Sequence, residues 1–235
     1  MVLRLPLRST SYDEVAPQGG IAVPPNAKTS LLAPMPTALF YSSAATADCN
    51  ASNPEVKLIA SNADWGAVNN LHYRIFCVLP GDYSGAGIIV LRTSGAPGEE
   101  RYLRYYSPAG AVGHPAQQTG AQQATLRGLM LNGASHWVID GLRLAGMRRP
   151  NALIHGAAYN VLTRMLIEQG ASHLLLLSGG SDNTVQNSVI RTTAVVPNED
   201  RHCIVIQGSE RVKLLGNEIY DCAGDAIHQA PPRAR

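Results

Sequence analysis

The chain has 235 residues, a formal net charge of +2 and only 15% charged side chains. So small a charge excess makes no demand for a nucleic-acid partner, and no apolar run approaches the ~20 residues that a transmembrane helix needs. With 6% aromatic residues and 22 glycines, the composition is sparse and turn-rich, and the length suits one sizeable domain.

Residues 1–37 hold six of the 15 prolines (Pro6, Pro17, Pro24, Pro25, Pro34 and Pro36) and no sustained period, and read as a mobile leader ahead of a single domain over 38–235. The opening MVLRLPLRST breaks at Pro6 before an apolar core develops, so it lacks the pattern of a secretory signal. Residues 38–42 (ALFYS) read as a first strand. The stretch Asn62-Ala63-Asp64-Trp65 followed by Gly66-Ala67-Val68 reads as a short helix with Asn62 or Asp64 as its cap. Placed there, it would serve as a lid over exposed strand edges, which otherwise invite pairing with another chain. Residues 73–79 read as a strand, 80–83 (PGDY) as a turn, and 88–91 and 102–106 as further strands. The polar insert over 109–124, with His114, Gln117, Gln118, Gln122 and Gln123, reads either as a binding lip or as a plain disordered loop. Cys49 and Cys77 can pair, which would suit an oxidising compartment. Cys203, on a predicted strand, and Cys222, in a predicted turn, are expected to be free buried thiols. No C-x-x-C pair is present to point to a structural zinc site.

From residue 129 the chain repeats itself. Gly133, Gly156, Gly179 and Gly208 recur at spacings of 23, 23 and 29, the last lengthened by an inserted AVVPNED at 194–200. A short apolar run precedes each glycine. Six residues after each comes Ile139, Leu162, Val185 or Leu214, and eleven after it Leu144, Ile167, Ile190 or Ile219. A fifth copy begins at Ala226-Ile227. Such a period means stacked supersecondary units. Apolar runs of three to five residues, punctuated by Gly, Asn and Ser, argue for several short strands per copy. Helical repeats need ten or more residues at 3.6 periodicity, which residues 182–189 (DNTVQNSV) do not offer. The economical solution is an all-β solenoid whose coil climbs one strand spacing, ~4.8 Å, per copy.

The lines VIDGLRLAG, VLTRMLIEQG, TVQNSVIRT and KLLGNEIYDC resemble coils of the right-handed parallel β-helix of the pectate lyase-like superfamily, over about residues 75–230. The order VLPGDYSG, IIVL, SGAPG, RYLRYY resembles the first coils of polysaccharide lyases of the chondroitinase B and alginate lyase type, departing at Ala96 and in the 109–124 insert. The resemblance implies the fold. For chemistry it implies little, because this fold hosts lyases, hydrolases, epimerases and non-catalytic adhesins.

Strand alternation sorts the side chains. Leu131, Ile154, Leu177 and Ile206 should point inward, and Asn132, His155, Ser178 and Gln207 outward, as a polar column over three coil steps of ~4.8 Å. The neighbouring outward column, Met130, Leu153, Leu176 and Val205, would be an apolar stripe that needs covering. The Lys and Arg pair about one coil apart that the lyase resemblance implies is not visible; the column of Lys213 reads Val138, Val161, Thr184, Lys213. Arg104 and Arg127, 23 apart, read as a stacked structural pair. The richer cluster is Asp200-Arg201-His202 at the second insert, with His155 on the polar column and Asp225 and His228 in the last copy; it reads either as an acid–base site or as a solvated loop of charges beside a structural turn. Histidine can act as a general base near neutral pH. Glu168 and Arg191 read as a surface ion pair worth less than ~1 kcal/mol. Glu168, Asp182 and Asp221 are too scattered for a calcium site, and the cofactor is left open. Asn160 and Asn183 share a column and read as a structural ladder.

Together these readings set the expectation of a protein acting on an extended polysaccharide, most of all as a lyase that cleaves a uronate-containing polymer by β-elimination. His155 or His202 would be the base and Arg201 the charge stabiliser. Asn132, Ser178, Gln207, Asp225 and His228 would bind substrate. No nucleic-acid or membrane partner is expected, and a secreted or periplasmic location is. The alternatives are a non-catalytic carbohydrate-binding or adhesin module, or an inactive fragment of a longer β-helix enzyme.

Overall fold

Short runs of Val, Ile and Leu are stiff, pleat readily and cannot bury both faces alone, so they must stack on their own copies. The computed structural model of this protein describes residues 49–108, 114–118, 120–194 and 200–231; the expected leader and the strand expected at 38–42 lie outside these. A first strand, β1 (Val56–Ile59), is followed by six coils of three strands each among the described residues. These are β2 (Ile75–Val78), β3 (Gly81–Asp82) and β4 (Ile88–Leu91); β5 (Arg101–Tyr105), β6 (Ala124–Leu126) and β7 (Gly128–Asn132); then β8 (Trp137–Asp140), β9 (Arg143–Ala145) and β10 (Ala152–His155). The remaining coils are β11 (Val161–Thr163), β12 (Leu166–Gly170) and β13 (Leu175–Ser178); β14 (Thr184–Gln186), β15 (Val189–Thr193) and β16 (Ile204–Gln207); and β17 (Lys213–Leu215), β18 (Glu218–Tyr220) and β19 (Ile227–Ala230).

Every strand pairs in parallel with its counterpart one coil on, which gives three sheets. We call them A (β1-β2-β5-β8-β11-β14-β17), B (β3-β6-β9-β12-β15-β18) and C (β4-β7-β10-β13-β16-β19). The fold is the expected parallel β-helix. Leu131, Ile154 and Leu177 stand in register and are at most 1% exposed. Ile139, Leu162 and Val185 on sheet A and Leu144, Ile167 and Ile190 on sheet B are fully buried, so each coil contributes one layer to a single interior. Burying each such side chain contributes roughly 1.5–3 kcal/mol.

The corners carry a left-handed residue at fixed places. The glycine column has φ between 59° and 70° at Gly133, Gly156, Gly179 and Gly208. A second column, His136, Tyr159, Asp182 and Arg211, adopts φ of 49° to 59° without any glycine. At corners the strand ladder lapses, so backbone N–H groups need other acceptors. Asn160 Oδ1 accepts from Trp137 N–H at 3.0 Å, and Asn183 Oδ1 accepts from Asn160 N–H at 3.1 Å. Asn160 Nδ2 also donates to Asn183 Oδ1 at 3.0 Å, the expected ladder, and both asparagines are fully buried. Ser188 Oγ does the same for Met165, and Asn217 Oδ1 for Ser188, at the corner between sheets A and B.

Several expectations need correction. The lid is a 3-10 helix over Asn62–Ala67 whose cap is Ser61; Asp64 sits at its third position and accepts from Ser61 N–H at 2.9 Å. From the third position the carboxylate reaches back to the cap amide, as in a capping box, and also takes the Ala60 N–H at 3.1 Å. Gly81 and Asp82 pair with Ala124 and Thr125 as a strand rather than forming only a turn. Cys203 and Cys222 are not free thiols. They form a disulfide with Cα atoms 5.5 Å apart, and Cys49 pairs with Cys77 across 5.9 Å. Ile204 pairs with Ile227 one coil on, so Cys222, 19 residues after Cys203, stands short of a full circuit and the two cysteines meet diagonally. Arg104 and Arg127 do not stack: Arg104 lies on sheet A opposite Asp140, whereas Arg127 lies at the corner before β7. Glu168 is 5% exposed and bridges Arg143 and Arg191, each at 2.8 Å, so it is a half-buried triad rather than a surface pair.

Candidate functional site

The structure divides the candidate residues between the two ends of the sheet C strands. Asn132, His155, Ser178 and Gln207 stand in register at the C-terminal ends, as the alternation predicted. Arg201 and His202 precede β16, and Asp225 precedes β19, at the N-terminal ends. His228 lies on β19 opposite Val205, so it continues the outward apolar column of Leu176 and Val205. His155 is therefore a strand length and two coil spacings from His202, and the two do not form one centre. A cavity of about 210 Å³ connects the ends; its walls include His173, Leu176, His202, Val205, His228 and Gln207.

Three imidazoles stack at the cavity's upper end. The ring centroids of His173 and His202 are 5.2 Å apart with planes 8° from parallel, and those of His202 and His228 are 4.2 Å apart at 7°. The stacking follows from the coil repeat, because His173 and His202 each sit two residues before their sheet C strand. His173 was not anticipated from the sequence. It lies in the corner rather than on a strand, so strand alternation passes over it. Its separation of 29 from His202 matches that of Gly179 from Gly208 and would have revealed it.

Hydrogen bonds assign the ring nitrogens. His173 Nδ1 accepts from His202 N–H at 3.2 Å, and His202 Nδ1 accepts from Asp225 N–H at 2.9 Å. A neutral ring whose Nδ1 accepts must carry its proton on Nε2. Both rings thus present Nε2–H donors. His228 differs: its Nδ1 lies 3.2 Å from Asp225 Oδ2, a carboxylate that can only accept. The proton is then on Nδ1, and Nε2 keeps a free lone pair, which is the arrangement of a carboxylate-oriented general base. Burial, with the neighbouring His202, Arg201 and His228 charges adding to it, pushes the His173 imidazole below its ordinary range. Gly224 lets the backbone close on this ring system, since a Cβ there would lie 2.8 Å from His202 Nδ1. Arg201 donates from Nη1 to the Ala171 carbonyl one coil above, which ties the return of the second insert to the His173 corner. The Cys203–Cys222 disulfide fixes the same corner.

His202, Asp225 and His228 also have potential ligand atoms within 4.8 Å of one another, the one such group of His, Cys, Asp and Glu among the described residues. Chelation through His202 Nδ1 would strip the Asp225 amide of its acceptor, at a cost of about 1–3 kcal/mol. The hydrogen bonds therefore disfavour chelation through that nitrogen.

The corner between sheets B and C continues upward as a file of cations. Arg127 immediately precedes β7, Arg148 and Arg149 lie on the next coil before β10, and all three are exposed. None of them makes an ion pair among the described residues. Successive coils are ~4.8 Å apart, so the file and the imidazole stack form one basic edge.

A second groove of about 430 Å³ lies along sheet B near the corner with sheet A, with His114 and Gln117 of the first insert on one side and Arg191, Glu218 and Tyr220 on the other. The described part of that insert is ordered by Gln123, which donates to the carbonyls of Pro115 at 2.7 Å and Gln118 at 3.1 Å.

The fold and the two surface grooves define a β-helix with ligand-sized depressions on its faces. No family model matches the chain, and no curated protein matches it. Among solved structures it is similar to an alginate lyase from Paenibacillus sp. str. FPU-7, at 15% identity and a TM-score of 0.45. The alignment covers 68% of this chain and 57% of that one, so this chain spans less than two thirds of that enzyme's length. Among the described residues no helix is long and apolar enough to cross a membrane.

Proposed function

We propose that this protein binds an extended acidic polysaccharide along the basic edge between sheets B and C and cleaves it at His228 by β-elimination. The observation that carries the reading is the Asp225–His228 contact, 3.2 Å from Oδ2 to Nδ1, which leaves Nε2 as a base beside two Nε2–H donors. In this reaction His228 Nε2 takes the proton alpha to a uronate carboxylate. The charge that develops on the carboxylate is met by Nε2–H of His202 and by the positive field of Arg201. The C4–O4 bond then breaks, the electron pair leaves with O4, and water protonates it, giving a double bond between C4 and C5. Two roles shift from the expectation. His155 stands outside the cavity, and His202 offers a donor rather than a lone pair, so the base passes to His228. Gln207, at the far end of the cavity, would hold the neighbouring sugar. The two disulfides suit an oxidising compartment, in line with a secreted or periplasmic protein.

The test is ultraviolet absorbance of unsaturated uronate during incubation with alginate, polygalacturonate and a glycosaminoglycan. Turnover on at least one polymer is expected, abolished in His228→Ala and reduced in Asp225→Asn. Silence across the panel from a folded protein would remove the enzyme reading. Saturable binding without turnover, weakened by removal of Arg148 and Arg149, would instead identify a binding module.

A further inference from the structure

We infer that the groove on sheet B is a second ligand site, built for a neutral oligosaccharide, with one pyranose ring stacked on Tyr220 and its hydroxyls bonded to Arg191 and Glu218. It goes beyond the elimination proposed above and does not rest on it. Glu218 and Tyr220 are two residues apart on β18, so both point outward on the same face. Tyr220 is 40% exposed, and its hydroxyl is already satisfied by Arg191 Nη1 at 2.8 Å. The ring thus presents an apolar face whose polar tip needs nothing from a ligand. The C–H face of a pyranose is the natural complement of such a platform.

Arg191 is fixed before any ligand arrives. Its Nε donates to Glu168 Oε2 at 2.8 Å, and Glu168 is itself held from the other side by Arg143 Nε at 2.8 Å. The Nη2 group of Arg191 makes no hydrogen bond among the described residues. A locked guanidinium and an exposed carboxylate supply donors and acceptors suited to the paired hydroxyls of a sugar ring. The opposite wall is fixed too: His114 Nδ1 accepts from Ala116 N–H at 3.1 Å, and its Nε2 lies 3.0 Å from the Asn187 carbonyl. This wall brings Gln117, with an amide of both polarities, to the groove.

Charge separates this site from the basic edge. Arg143 and Arg191 are balanced by Glu168 and Glu218, so the groove carries no net charge to draw a uronate. Its volume, about 430 Å³, falls within the ~300–1,000 Å³ of small-molecule sites. The ligand class is therefore a short stretch of neutral glycan.

Calorimetry with neutral hexasaccharides from cellulose, mannan and laminarin tests the site on the full chain. Saturable binding of at least one is expected, weakened roughly tenfold or more by Tyr220→Ala, largely kept by Tyr220→Phe, and unchanged by His228→Ala. The proposal is overturned if no neutral hexasaccharide binds the wild type. It is equally overturned if Tyr220→Ala binds as the wild type does, or if His228→Ala loses binding to the same extent. Because the readout is binding of uncharged sugars, it is separate from uronate turnover, and either reading can fail without the other.

Discussion

The two grooves share one scaffold and differ in what interrupts it. The imidazole stack lies where the 194–200 insert rejoins the coil, on a corner that also carries Arg127, Arg148, Arg149 and Arg201. The sheet B groove lies where the first insert docks on Asn187, among charges that cancel around a tyrosine. Nothing in the interior distinguishes them, since both rest on layers of Leu, Ile and Val. In this solenoid the regular strands carry His228, Arg191, Glu218 and Tyr220, and the corners and inserts bring His173, His202, His114 and Gln117 up beside them.

The two grooves part most clearly at the base. His228→Ala should lower the initial rate of uronate elimination by about 10²–10⁴-fold, while Tyr220→Ala leaves that rate unchanged; equal losses would make the two grooves one site. A change in the shared interior should instead hit both together. Leu177 is fully buried, and Leu177→Ala should cost about 2–5 kcal/mol in urea unfolding, weakening both neutral-glycan binding and turnover. The disulfides sharpen the contrast. Replacing Cys203 and Cys222 by alanine should cost roughly 2–4 kcal/mol of stability and raise amide exchange at His202 and Asp225, leaving β2 and the Asn62–Ala67 helix protected. Removing Cys49–Cys77 should do the reverse.

The smallest expected effect is on pH dependence. The His173 imidazole is pushed below its ordinary value of 6.5 by burial and by the nearby charges of His202, Arg201 and His228. Burial also lowers His114, with Arg164 adding to it and the Asn187 carbonyl, Glu218 and Asp140 opposing. An unfolded chain then binds protons more readily than the native one below pH 6.5, so stability present above that pH is lost as pH falls. Urea midpoints on either side of pH 6.5 should show this slope. His173→Gln should remove part of it through the basic edge and His114→Gln part of it through the sheet B groove. A slope unchanged in both would place the acid sensitivity elsewhere.

The architecture was legible because interior contacts repeat at a fixed interval: Ile154 and Leu177 declare each other by spacing. The corners were only partly legible. Glycine marks one left-handed column, but backbone supported by stacked neighbours also holds Tyr159 and Asp182 in that region, and their identities give no such signal. The cluster of Arg201, His202, Asp225 and His228 was visible from composition, whereas the role of each ring nitrogen was not. That role depends on which amide lies beside it, and amides carry no trace in the sequence. Cys203 and Cys222 escaped for a related reason: they meet on a diagonal, out of step with the period that made everything else readable.

The paired asparagines have a consequence of another kind. Asn183 gives its oxygen to the amide of Asn160 and Asn160 gives its own to Trp137, so each rung meets the same demand that the one before it created. A duplicated segment spliced between them would find its bonding needs already answered on both sides. The molecule is therefore extensible by whole turns, and a lineage could lengthen its working face without redesigning any part of it.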